Sequence, residues 1–230
     1  MKKALLVLDF INGIATTGSC QTYLAQHPEV VNNTNQLIDY CQKNGISTFF
    51  VRLAFDENYT NCPKHSKMFT WAKDNKRFLL GTPDTEFVDA LHYKRGTDQV
   101  INKPAVSPFY TTSLEEQLKK MGIEELIITG LATDNAVNLV TREAHDKGFY
   151  TVVVQDACGA STAEVHNSAL ALLAKIAGEV STTEACLARL KEEASAVKKN
   201  NPSSMWQPEK EAATTNTTGD GTEAKMELNN

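Results

Sequence analysis

An aspartate closing one apolar run, a lysine closing another and a glycine-led turn before a helical pattern are the residues with chemistry to offer. Asp9 follows residues 4–8, Lys103 follows residues 99–102, and Gly130-Leu131-Ala132-Thr133-Asp134-Asn135-Ala136 joins the apolar run 126–129 to a helix. In open α/β sheets ligands bind beyond the carboxyl ends of the strands, which makes polar residues at those ends the first candidates. Taken singly, each has an ordinary explanation: Asp9 as a cap or turn former, Lys103 as a surface lysine. Brought into one crevice they form an acid–base pair, a carboxylate kept ionised by a cation and able to take or return a proton. The turn adds free N–H groups and the positive end of a helix dipole, which stabilise an oxyanion and favour the thiolate of a cysteine in the first helical turn. The residue in that place is Ala136, which carries no nucleophile.

These three features need a scaffold that sets strand ends side by side. Residues 4–8, 47–51, 126–129 and 150–154 are short, apolar and rich in β-branched residues, the pattern of buried parallel strands, and residues 99–102 read as a further short strand. Between them lie helical patterns over residues 28–43, 113–121, 135–147 and 162–176, closed by Asn44-Gly45, Gly122, Gly148 and Gly178. Alternating strands and helices predict an α/β fold, a doubly wound, mainly parallel sheet with helices on both faces. That domain is expected over residues 1–193. Residues 194–230 turn polar and aperiodic and are expected to be disordered, with docking through Met205 or Trp206 as the alternative.

Composition narrows the partners. A chain of 230 residues with 41% hydrophobic content and a formal net charge of −5 can bury a proper core and lacks the basic character of nucleic-acid binders, so a small-molecule substrate is expected and no nucleic acid. The opening run is broken by Asp9 too early for a signal peptide, and no apolar stretch is long enough for a membrane span. Five cysteines scattered without C-x-x-C pairing fit a reducing, cytoplasmic setting.

Residues 5–12, with Asp9 and Asn12, then Asn102-Lys103-Pro104 with Ser107 and Phe109, then residues 129–134 followed by Thr141-Arg142-Glu143-Ala144, resemble the isochorismatase-like hydrolase superfamily. Gln155-Asp156-Ala157-Cys158 with Glu164 and His166 is similar to that family's closing strand and helix, and the resemblance runs in order from about Lys3 to Leu190. It implies a catalytic set of Asp9 as base, Lys103 as its charged partner and Ala136 at the position of a nucleophilic cysteine. It also implies an oxyanion hole framed by Leu131, Ala132 and Ala136, a non-proline cis peptide at Leu131–Ala132, Asn12 near the substrate, and a homo-oligomer, dimer or tetramer.

The missing nucleophile leaves three readings open: a Cys-to-Ala form of an amide-hydrolysing enzyme, an isochorismatase-type vinyl-ether hydrolase that needs no thiolate, or an inactive binding module. Nicotinamidases of this superfamily hold a divalent ion through an Asp-x-His and a following histidine. This chain has no Asp-x-His, and His65, His92, His145 and His166 read as surface or helix-face residues, so no metal and no cofactor are expected. The irregular stretch 55–80 carries Phe55, Tyr59, Phe69 and Trp71, which either wall the substrate crevice or form a satellite core. Arg52, directly after a strand, either grips a substrate carboxylate through its planar fork or makes a surface ion pair. Cys158 reads as a buried thiol, and Cys62 with His65 as half a zinc site at best.

Overall fold

The computed structural model describes residues 1–199; the rest of the polar tract, with Met205 and Trp206, lies outside the described residues. Within them β1 (Lys3–Leu8), β2 (Ser47–Leu53), β3 (Gln99–Lys103), β4 (Glu125–Leu131), β5 (Tyr150–Gly159) and β6 (Glu179–Ser181) form one sheet. Its order is β3-β2-β1-β4-β5-β6, with every neighbouring pair parallel. The α/β doubly wound architecture expected from the alternation is the one observed.

The helices are α1 (Asn12–Ala15), α2 (Gln21–Gln26), α3 (Glu29–Lys43), α4 (Lys67–Asp74), α5 (Leu114–Lys120), α6 (Asn138–Asp146), α7 (Ala163–Leu173) and α8 (Thr183–Lys199). Period-two alternation along β1 sends its side chains to two cores. Leu5 and Val7 meet Leu37, Ile38 and Cys41 of α3 and Cys186, Leu187 and Leu190 of α8. Ala4, Leu6 and Leu8 meet Leu114 and Leu118 of α5, Val140 and Ala144 of α6, and Leu173 of α7. Covered on both faces, β1 reads as an unbroken apolar run because neither face sees water.

Local signals explain most boundaries. α3 carries Glu29 in its first turn and Lys43 in its last, in the sense that complements its dipole, and stops at Asn44 before Gly45 at φ +70°. Ser66 caps α4 by accepting a bond from the Phe69 N–H at 3.3 Å. That helix interrupts the stretch expected to be irregular. β6, three residues long, is too short to show periodicity. α8 runs through residues 194–199, where the sequence suggests irregular chain; alanine and lysine there are good helix formers and extend a helix already anchored by Cys186 and Leu190.

At the amino ends of the strands, Glu125 is fully buried and accepts bonds from Lys3 at 2.7 Å and Arg189 at 2.6 Å. Burial pushes its carboxyl up, but the two cations outweigh it and hold the group below the usual carboxylate range. This carboxylate is a structural tie between β1, β4 and α8.

The chain leaves β1 toward β2 and β3 on one side and returns to β4 on the other. The carboxyl ends of β1 and β4 therefore diverge, and the connections after them open a crevice at the reversal of strand order.

Candidate active site

Asp9 is the first residue beyond β1 and has φ +56°, a left-handed conformation that costs a non-glycine residue about 1–2 kcal/mol. Its neighbours fix it there. Its N–H donates to the Val51 carbonyl at 2.8 Å, its Oδ1 accepts from the Leu53 N–H at 2.8 Å, and its Oδ2 meets Lys103 Nζ at 2.8 Å. Lys103, the last residue of β3, also donates to the Ala105 carbonyl at 3.1 Å, and both charged residues are only 2% exposed. Three adjacent strands thus converge on one carboxylate. Burial raises the Asp9 carboxyl above the ordinary carboxylate range, against the opposing pull of the Lys103 charge and the Leu53 N–H. The contrast with Glu125 is chemical: two cations make that carboxylate a fixed anion, whereas one leaves Asp9 able to accept and return a proton.

β4 brings the third element. Gly130, at φ +143°, lies so close to β1 that a Cβ would stand 2.4 Å from the Leu8 carbonyl oxygen, so only glycine allows β4 to end here. The Leu131–Ala132 peptide bond is cis. A π-helical turn, Thr133–Val137, follows, with the N–H groups of Asn135 and Val137 both donating to the Ala132 carbonyl at 3.0 and 3.2 Å. This turn seats Ala136, 3% exposed, on the same cavity wall as Leu131 and Ala132.

Asp9, Lys103, Leu131, Ala132 and Ala136 all line one cavity of about 540 Å³, within the range of small-molecule sites. Phe69 and Trp71 line it as well. The remaining candidates do not. Asn12 donates its side-chain amide to the Pro83 carbonyl at 3.2 Å. Arg52 donates from Nε to Asn102 Oδ1 at 2.7 Å and from Nη1 to the Thr85 carbonyl at 3.0 Å while lying over the Phe87 ring, and it does not line the cavity. Phe55 is fully buried against Tyr59 and Phe69, each with ring centroids 5.4 Å from its own, and Tyr59 donates its hydroxyl to the Arg77 carbonyl at 2.8 Å. Both readings of the aromatic stretch hold in part: Phe55 and Tyr59 make a satellite core, and α4 lays Phe69 and Trp71 along the cavity.

Sequence reasoning missed two parts of the wall. One is the segment containing Gly13, Thr17, Gly18 and Ser19 after β1, whose small residues directly beyond a strand end were the available signal. The other is Arg77, hidden among aromatic residues.

His166, read as a surface or helix-face residue, lies on the buried face of α7, 7% exposed, with Nδ1 2.8 Å from Thr133 Oγ1 and its ring 5.5 Å from that of Tyr23. Burial, and secondarily His27, hold its imidazole below the ordinary histidine range. A depressed folded-state value means that the unfolded chain binds the proton more readily, so stability falls as pH drops through the unfolded value of about 6.5. Urea midpoints measured on either side of that pH should fall more steeply for this chain than for His166→Gln; parallel profiles would show that the histidine is not held neutral by the fold.

Residues 3–185 match the family model described as the isochorismatase domain. Nicotinamidase 3 of Arabidopsis thaliana is 29% identical over 172 residues, covering 74% of this chain and 80% of that protein. The ureidoacrylate amidohydrolase RutB of Acinetobacter baylyi is 27% identical over 198 residues, covering 79% and 80%. The crystal structure of a cysteine hydrolase from Pseudomonas syringae pv. phaseolicola superposes with a TM-score of 0.74 at 18% identity, over 83% of this chain and 93% of that one. With a family model matched over most of its length and a six-stranded sheet of the same architecture, the chain belongs to the isochorismatase family of hydrolases.

Proposed function

We propose that the cavity binds a small amide-type molecule with its C–N bond at Asp9, and that Asp9, Lys103 and the turn carrying Ala136 are its catalytic apparatus. The observation that carries this reading is the buried Asp9–Lys103 pair opening into the cavity that Ala132 and Ala136 also line. The names of two relatives, a nicotinamidase and a ureidoacrylate amidohydrolase, favour C–N hydrolysis over other chemistry.

In the form bearing cysteine at position 136, Asp9 takes the thiol proton and the thiolate attacks the carbonyl carbon. N–H groups of the turn framed by Leu131, Ala132 and position 136 hold the resulting oxyanion. Collapse breaks the C–N bond, Asp9 gives its proton to the departing nitrogen, and a thioester remains. Asp9 then takes a proton from water, the hydroxide attacks the thioester, and the acid leaves as the thiol is restored. With Ala136 there is no atom to form the thioester, so the chain as written binds such molecules and turns them over poorly.

A second reading is favoured by the raised Asp9 carboxyl, since an acid held above its usual range can protonate a vinyl ether directly and needs no thiol. Assaying the chain and its Ala136→Cys counterpart against a panel of small amides and against isochorismate separates the two. Amide hydrolysis confined to the cysteine form supports the first reading, and vinyl-ether cleavage by the alanine form supports the second. Silence from both forms on every substrate would overturn the hydrolase assignment of this site.

A further inference from the structure

The inner end of the cavity holds a charge pair that satisfies itself, Asp9 with Lys103. A third charged side chain faces the same space. Arg77 lies where three parts of the wall meet, the segment after β1, α4 and the stretch leading to Asp84. Its Nε donates to the Asp84 carboxylate, and its Nη2 donates to the Gly13 carbonyl and to Thr17 Oγ1, each at 3.2 Å. Its guanidinium lies 5.3 Å from the Phe78 ring centroid and 5.9 Å from that of Trp71.

A guanidinium has five N–H donors: one on Nε and two on each terminal nitrogen. Those bonds occupy Nε and Nη2, while Nη1 makes no hydrogen bond among the described residues. The fork is immobilised by its other contacts, so a ligand bonding to Nη1 does not have to order a free side chain. Around it the wall is apolar, with Met68, Phe69, Trp71 and Phe78. Asp84 shares its Oδ2 with the Phe78 N–H at 3.2 Å and reaches Arg77 through Nε alone, so the carboxylate leaves Nη1 without an acceptor on a residue that lines the cavity.

From this geometry we infer that Arg77 is a specificity-determining residue, and that the cavity takes a planar amide carrying a carboxylate remote from its scissile bond. The flat body lies against Phe69 and Trp71, the amide reaches Asp9, and the carboxylate accepts from Nη1. The inference rests on the proposed function only in placing the amide at Asp9. Arg52, the arginine suggested by the sequence for a substrate carboxylate, bonds through Nε and Nη1 to Asn102 and Thr85 and does not line the cavity, whereas Arg77 does.

Calorimetric titration of the chain as it stands with benzamide, 3-carbamoylbenzoate and 4-carbamoylbenzoate tests this without requiring turnover. One of the two carboxylates should bind about tenfold or more tighter than benzamide, the scale of a charge-assisted hydrogen bond. Arg77→Gln should bring that ratio close to one, and Arg77→Lys, which keeps the charge and loses the fork, should retain part of it. The ratio is the readout because loss of the Gly13 and Thr17 contacts loosens the wall for all three ligands alike. Equal binding of the three by the unaltered chain, a ratio that survives in Arg77→Gln, or no binding of any at millimolar concentration would each overturn the inference. Failure of the Ala136→Cys form to hydrolyse amides would leave a measured Arg77-dependent preference standing, so the two ideas fail separately.

Discussion

Ala136→Cys should carry a thiol that alkylates at mildly acidic pH, well before any other cysteine of the chain. The native thiols form a quiet background: burial pushes Cys20, Cys41 and Cys158 up to about 12 and Cys186 up to about 11. Cys62, only partly buried, is also raised by desolvation and is the one competitor worth removing, as Cys62→Ser. A thiol at position 136 would instead face the ammonium of Lys103 and the start of a helix, conditions that draw cysteine well below its free value of about 8.5. Its alkylation near neutral pH should exceed that of the parent chain by on the order of ten- to a hundredfold, with a midpoint at least one unit below that free value. Asp9→Asn in the same background should move the midpoint, because the proton's acceptor is gone. The gain in amide hydrolysis should be larger still, roughly a thousandfold or more, the scale on which a cooperating nucleophile acts. A thiol titrating at its ordinary value and insensitive to Asp9 would mean that the turn does not activate a nucleophile.

The second large effect is on stability. Lys103→Met leaves the Asp9 carboxylate without its cation in a site only 2% exposed, and breaking a buried pair from one side costs about 3–5 kcal/mol. The penalty depends on pH with a definite sign. Without Lys103 the one strong downward influence on Asp9 is lost, and the folded-state value, already raised, rises further. Such a group is fully tolerated below its unfolded value, about 3.9, and withdraws stability as pH climbs through the folded value. The variant's deficit in urea denaturation should therefore widen from mildly acidic to alkaline pH. Adding Asp9→Asn should recover part of it by removing the stranded charge. A deficit that is flat with pH, or that deepens when Asp9 is neutralised, would show that Lys103 acts by packing rather than by charge.

Much of this arrangement was legible before any coordinates. The strands were visible because β1, β2, β4 and β5 are buried on both faces and so read as continuous apolar runs, and helix ends were marked by Gly45, Gly122 and Gly148. Asp9 and Lys103 could be singled out because ligands of open α/β sheets bind beyond the carboxyl ends of the strands. Side-chain partners were not legible. Arg52 and Arg77 are alike in sequence, each within a few residues of aromatic side chains, and only the tertiary structure places Arg77 on the cavity wall while Arg52 bonds to Asn102 and Thr85. The burial of His166 was not legible for the same reason, since its contacts with Thr133 and Tyr23 come from distant segments. β6 and α8 escaped because one is too short for a pattern and the other blends polar and apolar positions without a sharp stop.

The pairing at the middle of the sheet bears on how the chain is made. β1 lies between β2 and β4, with Lys3 beside Glu125 and Leu8 beside Gly130, so β1 waits for a partner strand synthesised long after it. Until β4 emerges, β1 has an open edge on the side where β4 will pair, and an unpaired strand edge is prone to association. Contacts so remote in sequence also slow closure, because the loop entropy must be met before the pairing is gained. Translation speed between residues 9 and 125, rather than any property of the finished site, should therefore govern how much of this protein reaches its native form.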